Sequence, residues 1–314
     1  MDKRVFGRTG LKVSVLGFGG APIGFLKTDR ERTASILNFL LDSGLNFIDT
    51  AASYEGSEEI IGETIGARRD QFVLLSKCGR GSADLPGADW SPQLIGATID
   101  RSLKRLRTDR LDVMILHSCD LDVLQRGEAM GALAKARDAG KIRFAGYSGD
   151  NDAARYAAAL PDVAVIETSL SIADQANITR VLPVARQHNV GVVAKRPIAN
   201  AAWKSIDRQP GMYKDYAAAY TERLKKMNIT PADVGFVGNG ASSRDPEESW
   251  PELALRFTLS FPEVHTAIIG TTNPANAKKN IEHASKSPLP SDVVGKIRAA
   301  FQHADPVGAW EGLT

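Results

Sequence analysis

The sequence of 314 residues predicts a single domain, residues 1–314, with the α/β fold of a closed (β/α)8 barrel, also called a TIM barrel. Eight short apolar segments alternate with eight segments of helical periodicity, which is the number and order that a closed barrel requires. Several of the apolar segments are unbroken runs of Val, Ile and Leu, typical of parallel strands covered on both faces. With 43% hydrophobic residues, a chain of this length can fill the core of one such barrel.

A short hairpin is predicted ahead of the barrel. Residues 5–14 form two alternating segments around Gly7 and Gly10, and we expect this hairpin to cover one end of the barrel. The predicted barrel strands are residues 15–18, 46–49, 72–77, 111–117, 142–147, 163–167, 190–194 and 266–270. The predicted helices that follow them are residues 30–43, 57–67, 91–106, 121–139, 151–160, 175–188, 247–260 and 274–284.

One long segment, residues 199–246, interrupts this alternation after the seventh strand. It carries four large aromatic side chains, Trp203, Tyr213, Tyr216 and Tyr220. Insertions of this kind commonly form lids or binding loops, and the tail at residues 301–314 is a second segment that can fold over the barrel mouth. We interpret the tryptophans either as packing residues or as walls of a substrate pocket; they are Trp90, Trp203, Trp250 and Trp310.

The glycine-rich loop at residues 17–24 resembles a dinucleotide-binding fingerprint only in part. Pro22 stands where the last glycine of G-x-G-x-x-G would lie, and the next predicted helix begins only near Asp29. The sequence therefore favours the barrel over an open Rossmann sheet.

Composition and charge exclude several classes of protein. The chain has 39 Lys and Arg against 37 Asp and Glu, so its net charge of +2 predicts neither a nucleic-acid partner nor attraction to an anionic membrane. No apolar run reaches the roughly 18 residues of a membrane span, and the first ten residues contain no apolar signal segment, so we expect a cytoplasmic protein. Cys78 and Cys119 make no disulfide framework, and no Cys and His spacing indicates a metal site. We interpret both thiols as small packing residues, with a redox-sensitive pair or a substrate contact as the alternative.

Four polar side chains follow apolar runs in the first half of the chain. Asp49 ends the second predicted strand, Tyr54 lies in the turn after it, and Lys77 and His117 end the next two strands. In a barrel the carboxyl ends of all strands meet at one rim, where reacting groups are presented. We therefore expect these four side chains to form one candidate catalytic site.

The residue types predict proton delivery to a carbonyl oxygen. A phenol with a pKa near 10 is a weak acid, and we expect the Lys77 ammonium to lower the pKa of Tyr54 while Asp49 holds Lys77 in place. His117 would orient the carbonyl oxygen beside the Tyr54 hydroxyl as a hydrogen-bond donor. Taken singly, Asp49 is a common helix cap, His117 a common core residue, and Lys77 a candidate Schiff-base nucleophile of an aldolase.

The motifs FIDTAxxYxxSEExxG, LLSKCG and ILHS lie between the opening RxxGRTGLKVSxLGFGG and the closing AIIGTTNPANAKKN. Together they resemble the aldo-keto reductase superfamily over essentially the whole chain. The resemblance implies a (β/α)8 barrel that binds NADP(H) across its C-terminal rim and passes a hydride from nicotinamide C4 to a carbonyl. It makes Asp49, Tyr54, Lys77 and His117 the catalytic tetrad, with Tyr54 as the proton donor.

The resemblance also assigns residues to the nicotinamide. Ser148 and Glu167 would bind its carboxamide, although Gly149 stands where the family usually has Asn, and Glu167 where it usually has Gln. After the seventh strand the family commonly has an aromatic residue that stacks on the ring. This chain has Lys195, Arg196 and Pro197 there, and we expect the Arg196 guanidinium to cover the ring or to bind the pyrophosphate.

The phosphate end of the nucleotide is assigned to the start of the last barrel helix. The expected ligands there are Gly270, Thr271, Thr272, Asn276 and Asn280. A helix N-terminus favours anions through its free N–H groups and its dipole. Thr272 stands near the position where the family often has a basic residue for the adenosine 2′-phosphate, so NADPH is expected and NADH is an alternative, with Lys278 or Lys279 as a substitute cation.

Three short motifs, LGFGGAPIG, KCGR and LHSCD, resemble the aldose and L-galactose dehydrogenase branch of the superfamily. The predicted function is therefore reduction of an aldehyde or ketone, with oxidation of a sugar by NAD(P)+ as the alternative. Both predict a small-molecule carbonyl or sugar substrate. An alternative of another class is a regulatory nucleotide-binding protein like the potassium-channel β subunits, which share this fold and tetrad.

Overall fold

A computed structural model describes residues 1–26, 28–209, 211, 213–238 and 246–313, and these residues form a closed barrel of eight parallel strands. The strands, β1 to β10 in chain order, are Lys3–Val5, Lys12–Ser14, Leu16–Gly19, Phe47–Asp49, Val73–Cys78, Leu111–His117, Ile142–Ser148, Val163–Ser169, Gly191–Lys195 and Thr266–Ile269. Strands β3 to β10 form the barrel, which closes where β10 pairs with both β9 and β3. The predicted (β/α)8 fold is confirmed, and each barrel strand begins and ends within two residues of its predicted bounds.

The N-terminal hairpin covers the amino end of the barrel, as predicted. Strands β1 and β2 pair antiparallel, with a 3₁₀ turn at Gly7–Thr9 between them. The Phe6 ring lies edge-on to Phe47 at 5.6 Å between ring centroids. Gly7 has a φ of +50°, and a Cβ at this position would lie 2.4 Å from the backbone nitrogen of Gly191, so only glycine allows this close approach.

The helices surround the barrel. In chain order, α1 to α13 are Ala21–Phe25, Arg30–Asp42, Ser57–Ile65, Pro92–Arg105, Leu121–Arg126, Glu128–Asp138, Asn151–Ala159, Ala176–Arg180, Leu182–Gln187, Tyr213–Met227, Pro246–Leu259, Pro274–Ala284 and Ser291–Ala304. Further 3₁₀ segments are Gly66–Gln71, Ala199–Ala201 and Ile206–Arg208. Asp29 caps α2 by accepting a hydrogen bond from the Arg32 N–H at 2.8 Å. Among the residues that the structure describes, no helix combines the length and apolar character needed to cross a membrane.

Two helices predicted as continuous are broken. The predicted helix 121–139 divides into α5 and α6 at Gly127, whose φ of +76° is left-handed and ends a helix. The predicted helix 175–188 divides into α8 and α9 at Val181, two residues before Pro183. Proline has no N–H for the helical hydrogen bond and its ring clashes with the preceding turn, so α9 starts anew with Pro183 in its first turn.

The sequence also missed three helices. The glycine-rich loop contains α1, which tolerates Pro22 in its first turn because N–H groups there lack helical partners. The insertion after β9 contains α10, and the chain after α12 forms α13. Residues 210, 212 and 239–245 of the insertion lie outside the described residues.

The barrel interior changes from apolar to polar along its axis. An inner apolar cluster includes Phe47, Leu75, Ile115, Val165 and Val193, one from each of β4, β5, β6, β8 and β9, together with Phe6 and Val13 of the hairpin. Side chains two residues apart on a strand point to the same face. Two residues after each of these strand positions stand Asp49, Lys77, His117, Glu167 and Lys195. The strand alternation therefore directs these polar side chains toward the barrel axis at its carboxyl end.

Candidate active site

Lys77 lies at the centre of a buried charge cluster. Its Nζ donates to Asp49 Oδ1 and, at 3.1 Å, to the Thr50 carbonyl oxygen, and it lies 3.4 Å from Glu167 Oε2. The side chains of Lys77, Asp49 and Glu167 are each at most 4% exposed. One ammonium thus faces two carboxylates in a site that excludes bulk water.

This arrangement keeps Lys77 charged. Burial alone would lower the pKa of Lys77, but the carboxylates of Asp49 and Glu167 outweigh it and raise that pKa above its ordinary value. A Schiff-base lysine needs a lowered pKa, because only the neutral amine is a nucleophile. The aldolase interpretation of Lys77 is therefore not supported by its surroundings.

Tyr54 lies between Lys77 and His117. The Lys77 Nζ is 5.2 Å from the centroid of the Tyr54 ring, and the His117 ring is edge-on at 5.7 Å between centroids. Phe25, from α1, packs edge-on against Tyr54 at 5.3 Å. The predicted catalytic residues Asp49, Tyr54, Lys77 and His117 are thus neighbours, although Tyr54 lies in a loop and the other three lie at or next to the carboxyl ends of separate strands.

The predicted direction of the Tyr54 pKa is wrong. We expected Lys77 to bring this pKa below its ordinary value. Burial of the phenol raises the pKa of Tyr54, and the opposing effect of the Lys77 charge is smaller. The net direction is upward, so the Tyr54 hydroxyl keeps its proton near neutral pH, and Lys77 reduces the cost of forming the phenolate without reversing it.

His117 is held neutral. Burial, and the nearby positive charges of Lys77, Lys195 and Arg80, lower the pKa of His117 well below its ordinary value. Its Nδ1 lies 3.3 Å from the Ser53 hydroxyl oxygen. When Ser53 donates to Nδ1, the imidazole proton is on Nε2, and His117 can donate one hydrogen bond from that atom.

A cavity of 680 Å³ opens at the carboxyl rim of the barrel. It is lined by every predicted catalytic and cofactor-binding residue except Lys77 and Asn280. Those residues are Asp49, Tyr54, His117, Ser148, Glu167, Lys195, Arg196, Pro197, Gly270, Thr271, Thr272 and Asn276. Lys77 joins the site through its contacts with Asp49 and Glu167, whereas Asn280 is buried one helical turn beyond Asn276 on α12.

Ser148 and Glu167 form a polar pair on one wall of this cavity. The Ser148 hydroxyl donates to Glu167 Oε1 at 3.3 Å, and Glu167 Oε2 accepts no hydrogen bond within the described part of the chain. Gly149 follows Ser148, and a Cβ there would lie 2.4 Å from the Tyr147 hydroxyl oxygen. That hydroxyl is fixed by a 2.7 Å hydrogen bond to the Cys119 carbonyl oxygen. The Tyr147 ring therefore leaves no room for the asparagine that the family usually has at position 149.

Lys195 and Arg196 have different surroundings. The Lys195 Nζ forms a 3.1 Å ion pair with Asp150 Oδ2. Arg196 lies over the Tyr216 ring, 5.1 Å from its centroid, and donates to the carbonyl oxygen of Leu313. We expected Arg196 to face the nucleotide; it lines the cavity, but its guanidinium contacts the insertion and the C-terminal tail.

The C-terminal tail is attached at the barrel mouth, as predicted. The Ser169 hydroxyl donates to the Leu313 carbonyl oxygen at 2.8 Å, and the Leu313 N–H donates to Asp174 Oδ2 at 3.1 Å. Asp174 also accepts from the Tyr220 hydroxyl at 2.8 Å. Burial, together with the charge of Asp150, raises the pKa of Asp174 to about 7. The Leu313 N–H and the Arg223 charge offset this rise only in part. The final residue, Thr314, lies outside the described part of the chain.

The first turn of α12 faces the cavity. Asn273 caps this eleven-residue helix by accepting from the Ala275 N–H at 2.9 Å, and the Thr271 hydroxyl accepts from the Asn273 N–H at 3.1 Å. Asn276 and Thr272 line the cavity beside them. Backbone donors and the helix dipole make this end suitable for an anion.

Some of the large aromatic residues line the cavity, and others pack elsewhere. Tyr213 and Tyr216 line the cavity, whereas none of the four tryptophans is among the described residues that line it. Trp203 stacks on Trp250 at 5.8 Å between ring centroids. The interpretation of the tryptophans as walls of this cavity is therefore wrong, because they pack within or beside the core.

Both cysteines are buried. Burial raises the pKa of Cys78 and raises that of Cys119 to about 12, so neither thiol is a nucleophile near neutral pH. This supports their interpretation as packing residues.

Further residues that were not identified from the sequence line the cavity, among them Phe25, Ser53 and Arg80. Ser53 and Arg80 lie one and three residues from Tyr54 and Lys77, so their positions next to catalytic residues were the available signal. Phe25 had none, because α1 was not predicted.

A family model described as the aldo/keto reductase family matches residues 15–302. L-galactose dehydrogenase from Arabidopsis thaliana is 26% identical over 90% of this chain and 87% of its own length. D-threo-aldose 1-dehydrogenase from a Pseudomonas species is 27% identical over 88% of this chain and 91% of its own length. The solved holo form of aldo-keto reductase AKR11C1 from Bacillus halodurans superposes with a TM-score of 0.77 at 25% identity, covering 96% of both chains.

Proposed function

The chain belongs to the aldo/keto reductase family and is an NAD(P)H-dependent oxidoreductase, and from this premise we propose that it reduces aldehyde or ketone groups with NADPH, Tyr54 acting as the general acid. The observation that carries this proposal is the contact of Lys77 and His117 with Tyr54, a residue that lines the cavity. A protonated phenol between a fixed ammonium and a neutral imidazole is suited to protonating a carbonyl oxygen.

Each residue has a separate task in the proposed reaction. The carbonyl oxygen accepts hydrogen bonds from the Tyr54 hydroxyl and from His117 Nε2, which polarise the carbonyl group. Tyr54 then gives its proton to that oxygen, and Lys77 stabilises the resulting phenolate. Asp49 holds Lys77 in position through their ion pair. A reduced nicotinamide bound along this rim supplies the hydride.

The residues of the cavity fit a nicotinamide dinucleotide. Glu167 Oε2 is buried 3.4 Å from Lys77 Nζ and accepts no hydrogen bond from the described residues, and the Ser148 hydroxyl donates to the other oxygen of that carboxylate. Glu167 Oε2 can accept from the amide N–H of a carboxamide, and Ser148 would donate to the carboxamide carbonyl if its proton turned away from Glu167. At the other end of the cavity, Thr271, Thr272 and Asn276 at the start of α12 suit a phosphate group.

NADPH is proposed in preference to NADH because the resemblance to the family implies NADP(H). The side chains near Thr272 supply little support for this choice, because Lys278 and Lys279 are exposed on α12 and line no part of the cavity. Use of NADH is therefore the alternative, and a direct comparison of turnover with the two nucleotides decides between them.

Oxidation of a sugar is a second candidate function. The relatives named L-galactose dehydrogenase and D-threo-aldose 1-dehydrogenase favour it, because each covers most of this chain. In this direction the Tyr54 phenolate would accept the proton of the sugar hydroxyl, with the same residues in the same places.

The test is to follow nicotinamide absorbance in both directions. Purified protein is mixed with NADPH or NADH and an aromatic aldehyde, and separately with NADP+ or NAD+ and a panel of aldoses. We expect NADPH consumption with the aldehyde. Turnover only in the presence of an aldose and an oxidised nucleotide would replace reduction with the second candidate.

A further inference from the structure

A second cavity, of 340 Å³, adjoins the active-site cavity. Ser53, Arg80 and His117 line both cavities. A substrate whose carbonyl group lies against Tyr54 and His117 therefore has room to extend past Arg80 into the second cavity. This cavity lies on the side of the site formed by the loop after β5, away from the start of α12.

The charges around the second cavity are mainly positive. Its ionisable lining residues, apart from His117, are Lys77, Arg80, Arg101, Arg105, Glu55 and Glu59, which gives four positive and two negative charges. Arg101 is already bound by Asp84, whose two carboxylate oxygens lie 2.6 and 2.7 Å from its Nη1. Arg105 is bound by Glu59 at 2.8 Å, and Lys77 by its buried carboxylates.

Arg80 differs from these three cations. It forms no ion pair with any carboxylate of the described residues, and its hydrogen bond is to the Ser118 carbonyl oxygen at 3.2 Å. Its guanidinium lies over the Trp90 ring, 5.4 Å from the ring centroid. The guanidinium thus keeps free donors at the junction of the two cavities.

Trp90 is itself held in place beneath Arg80. The backbone N–H of Trp90 donates to the Gly79 carbonyl oxygen at 2.8 Å, and a Cβ on Gly79 would lie 2.3 Å from the indole ring. Gly79 has a φ of +106°, a conformation that side chains other than glycine rarely adopt. The backbone therefore brings the indole directly under the loop that carries Arg80, where the ring lies against the guanidinium.

A preorganised arginine without an acidic partner, beside the reacting groups, is suited to an anion supplied by the substrate. The planar fork of a guanidinium matches a carboxylate through two parallel hydrogen bonds. We propose that the physiological substrate is a carbonyl compound that bears a carboxylate, and that Arg80 binds this carboxylate while the carbonyl lies against Tyr54 and His117. This inference rests on the proposed reduction of carbonyl groups.

The test compares charged and uncharged aldehydes of the same shape. kcat/KM is measured for 4-formylbenzoate against its methyl ester, and for succinate semialdehyde against butanal, with wild type and Arg80→Gln. The charged-to-uncharged ratio should fall on the order of 10- to 100-fold in Arg80→Gln for at least one pair. An unchanged ratio for both pairs would overturn the assignment of Arg80.

Arg110→Gln is the matched control. Arg110 immediately precedes β6, at the end of that strand opposite to His117, and its side chain pairs with Asp109 and Asp70 on the surface. Arg110→Gln removes the same charge far from the cavities, so its charged-to-uncharged ratio of kcat/KM should stay within about twofold of that of wild type. A fall in Arg110→Gln as large as in Arg80→Gln would mean that only overall charge matters, against the proposal.

A binding measurement separates this inference from the proposed function. Benzene-1,4-dicarboxylate, which cannot be reduced, is titrated calorimetrically into each protein with NADP+ present. Binding on the order of tenfold weaker to Arg80→Gln than to wild type supports the carboxylate site even if no aldehyde is turned over. Failure of all four aldehydes to be reduced would count against the proposed reduction, whereas equal binding to both proteins would count against Arg80.

Discussion

Lys77 Nζ lies 3.4 Å from Glu167 Oε2 and also forms an ion pair with Asp49, so a single buried ammonium is the counter-ion of two acidic side chains. The second carboxylate is a departure from the family pattern, in which the residue at position 167 is usually an uncharged glutamine. Burial and the Glu167 charge raise the pKa of Asp49 well above its ordinary value, and the Glu167 charge also adds to the rise in the pKa of Tyr54. Glu167 therefore acts on the proposed proton donor as well as on the wall of the cofactor cavity.

Replacing Glu167 by glutamine should move the pH profile of reduction. Burial raises the pKa of Tyr54 most, and the charges of Asp49 and then Glu167 raise it further because they disfavour a phenolate nearby. Reduction requires protonated Tyr54 and is lost as the pH rises through that pKa. Removing the charge lowers the pKa, so any loss of kcat/KM at the alkaline end of the accessible pH range should begin at lower pH in Glu167→Gln than in wild type.

The control is Glu263→Gln. Glu263 lies just before β10, at the amino end of the barrel, and its carboxylate pairs with Arg186. The alkaline loss of kcat/KM in Glu263→Gln should coincide with that of wild type. A loss that begins at the same pH as in wild type, or at higher pH, in Glu167→Gln would contradict the role given to the second carboxylate.

Thr272→Arg should improve binding of NADPH. Thr272 lines the cavity beside the first turn of α12, and an arginine there can pair with the adenosine 2′-phosphate, which NADH lacks. We expect the Kd for NADPH, measured by quenching of protein fluorescence, to fall about tenfold while that for NADH stays unchanged. Thr272→Gln is the control, because it adds length without charge. Equal tightening for both nucleotides would contradict the placement of the 2′-phosphate.

Asp174 should make the stability of the protein depend on pH. Its pKa is about 7 in the folded chain, against a usual 3.8, so the folded state binds the proton more tightly than the unfolded state does. Stability is therefore lost as the pH rises, on the order of 4 kcal/mol at most between pH 4 and pH 8. In Asp174→Asn this loss should be smaller, as measured by guanidinium unfolding at pH 5 and pH 8.

Asp162→Asn is a suitable comparison for this prediction, because Asp162 is an exposed partner of Arg137. Its pH dependence should match that of wild type. If Asp174→Asn also loses as much stability as wild type between the two pH values, Asp174 is not the group responsible.

The barrel and the position of the tetrad could be predicted because both depend on local pattern. An apolar run that ends in Asp49, Lys77 or His117 predicts a strand and the polar residue at its carboxyl end. The alternation of the strand then fixes the direction of the side chain, two residues after Phe47, Leu75 or Ile115. No knowledge of tertiary contacts is needed for either step.

The properties that the sequence did not predict depend on contacts between distant segments. The pKa of Tyr54 rises because the folded chain buries the phenol more effectively than Lys77 stabilises its anion. Arg196 donates to the carbonyl oxygen of Leu313, which is 117 residues away, a contact that no local pattern indicates. Gly149 replaces the usual asparagine because of the Tyr147 ring, whose direction is set by Cys119.

The most direct test of the account is single-turnover reduction of an aromatic aldehyde by the NADPH-bound protein, wild type beside Tyr54→Phe. Phenylalanine keeps the ring that packs against Phe25 and His117 and removes only the proton donor. The account predicts a rate loss of about 10³-fold with the Kd for NADPH within about twofold of wild type. A rate in Tyr54→Phe equal to that of wild type would show that another group donates the proton and would contradict the central claim.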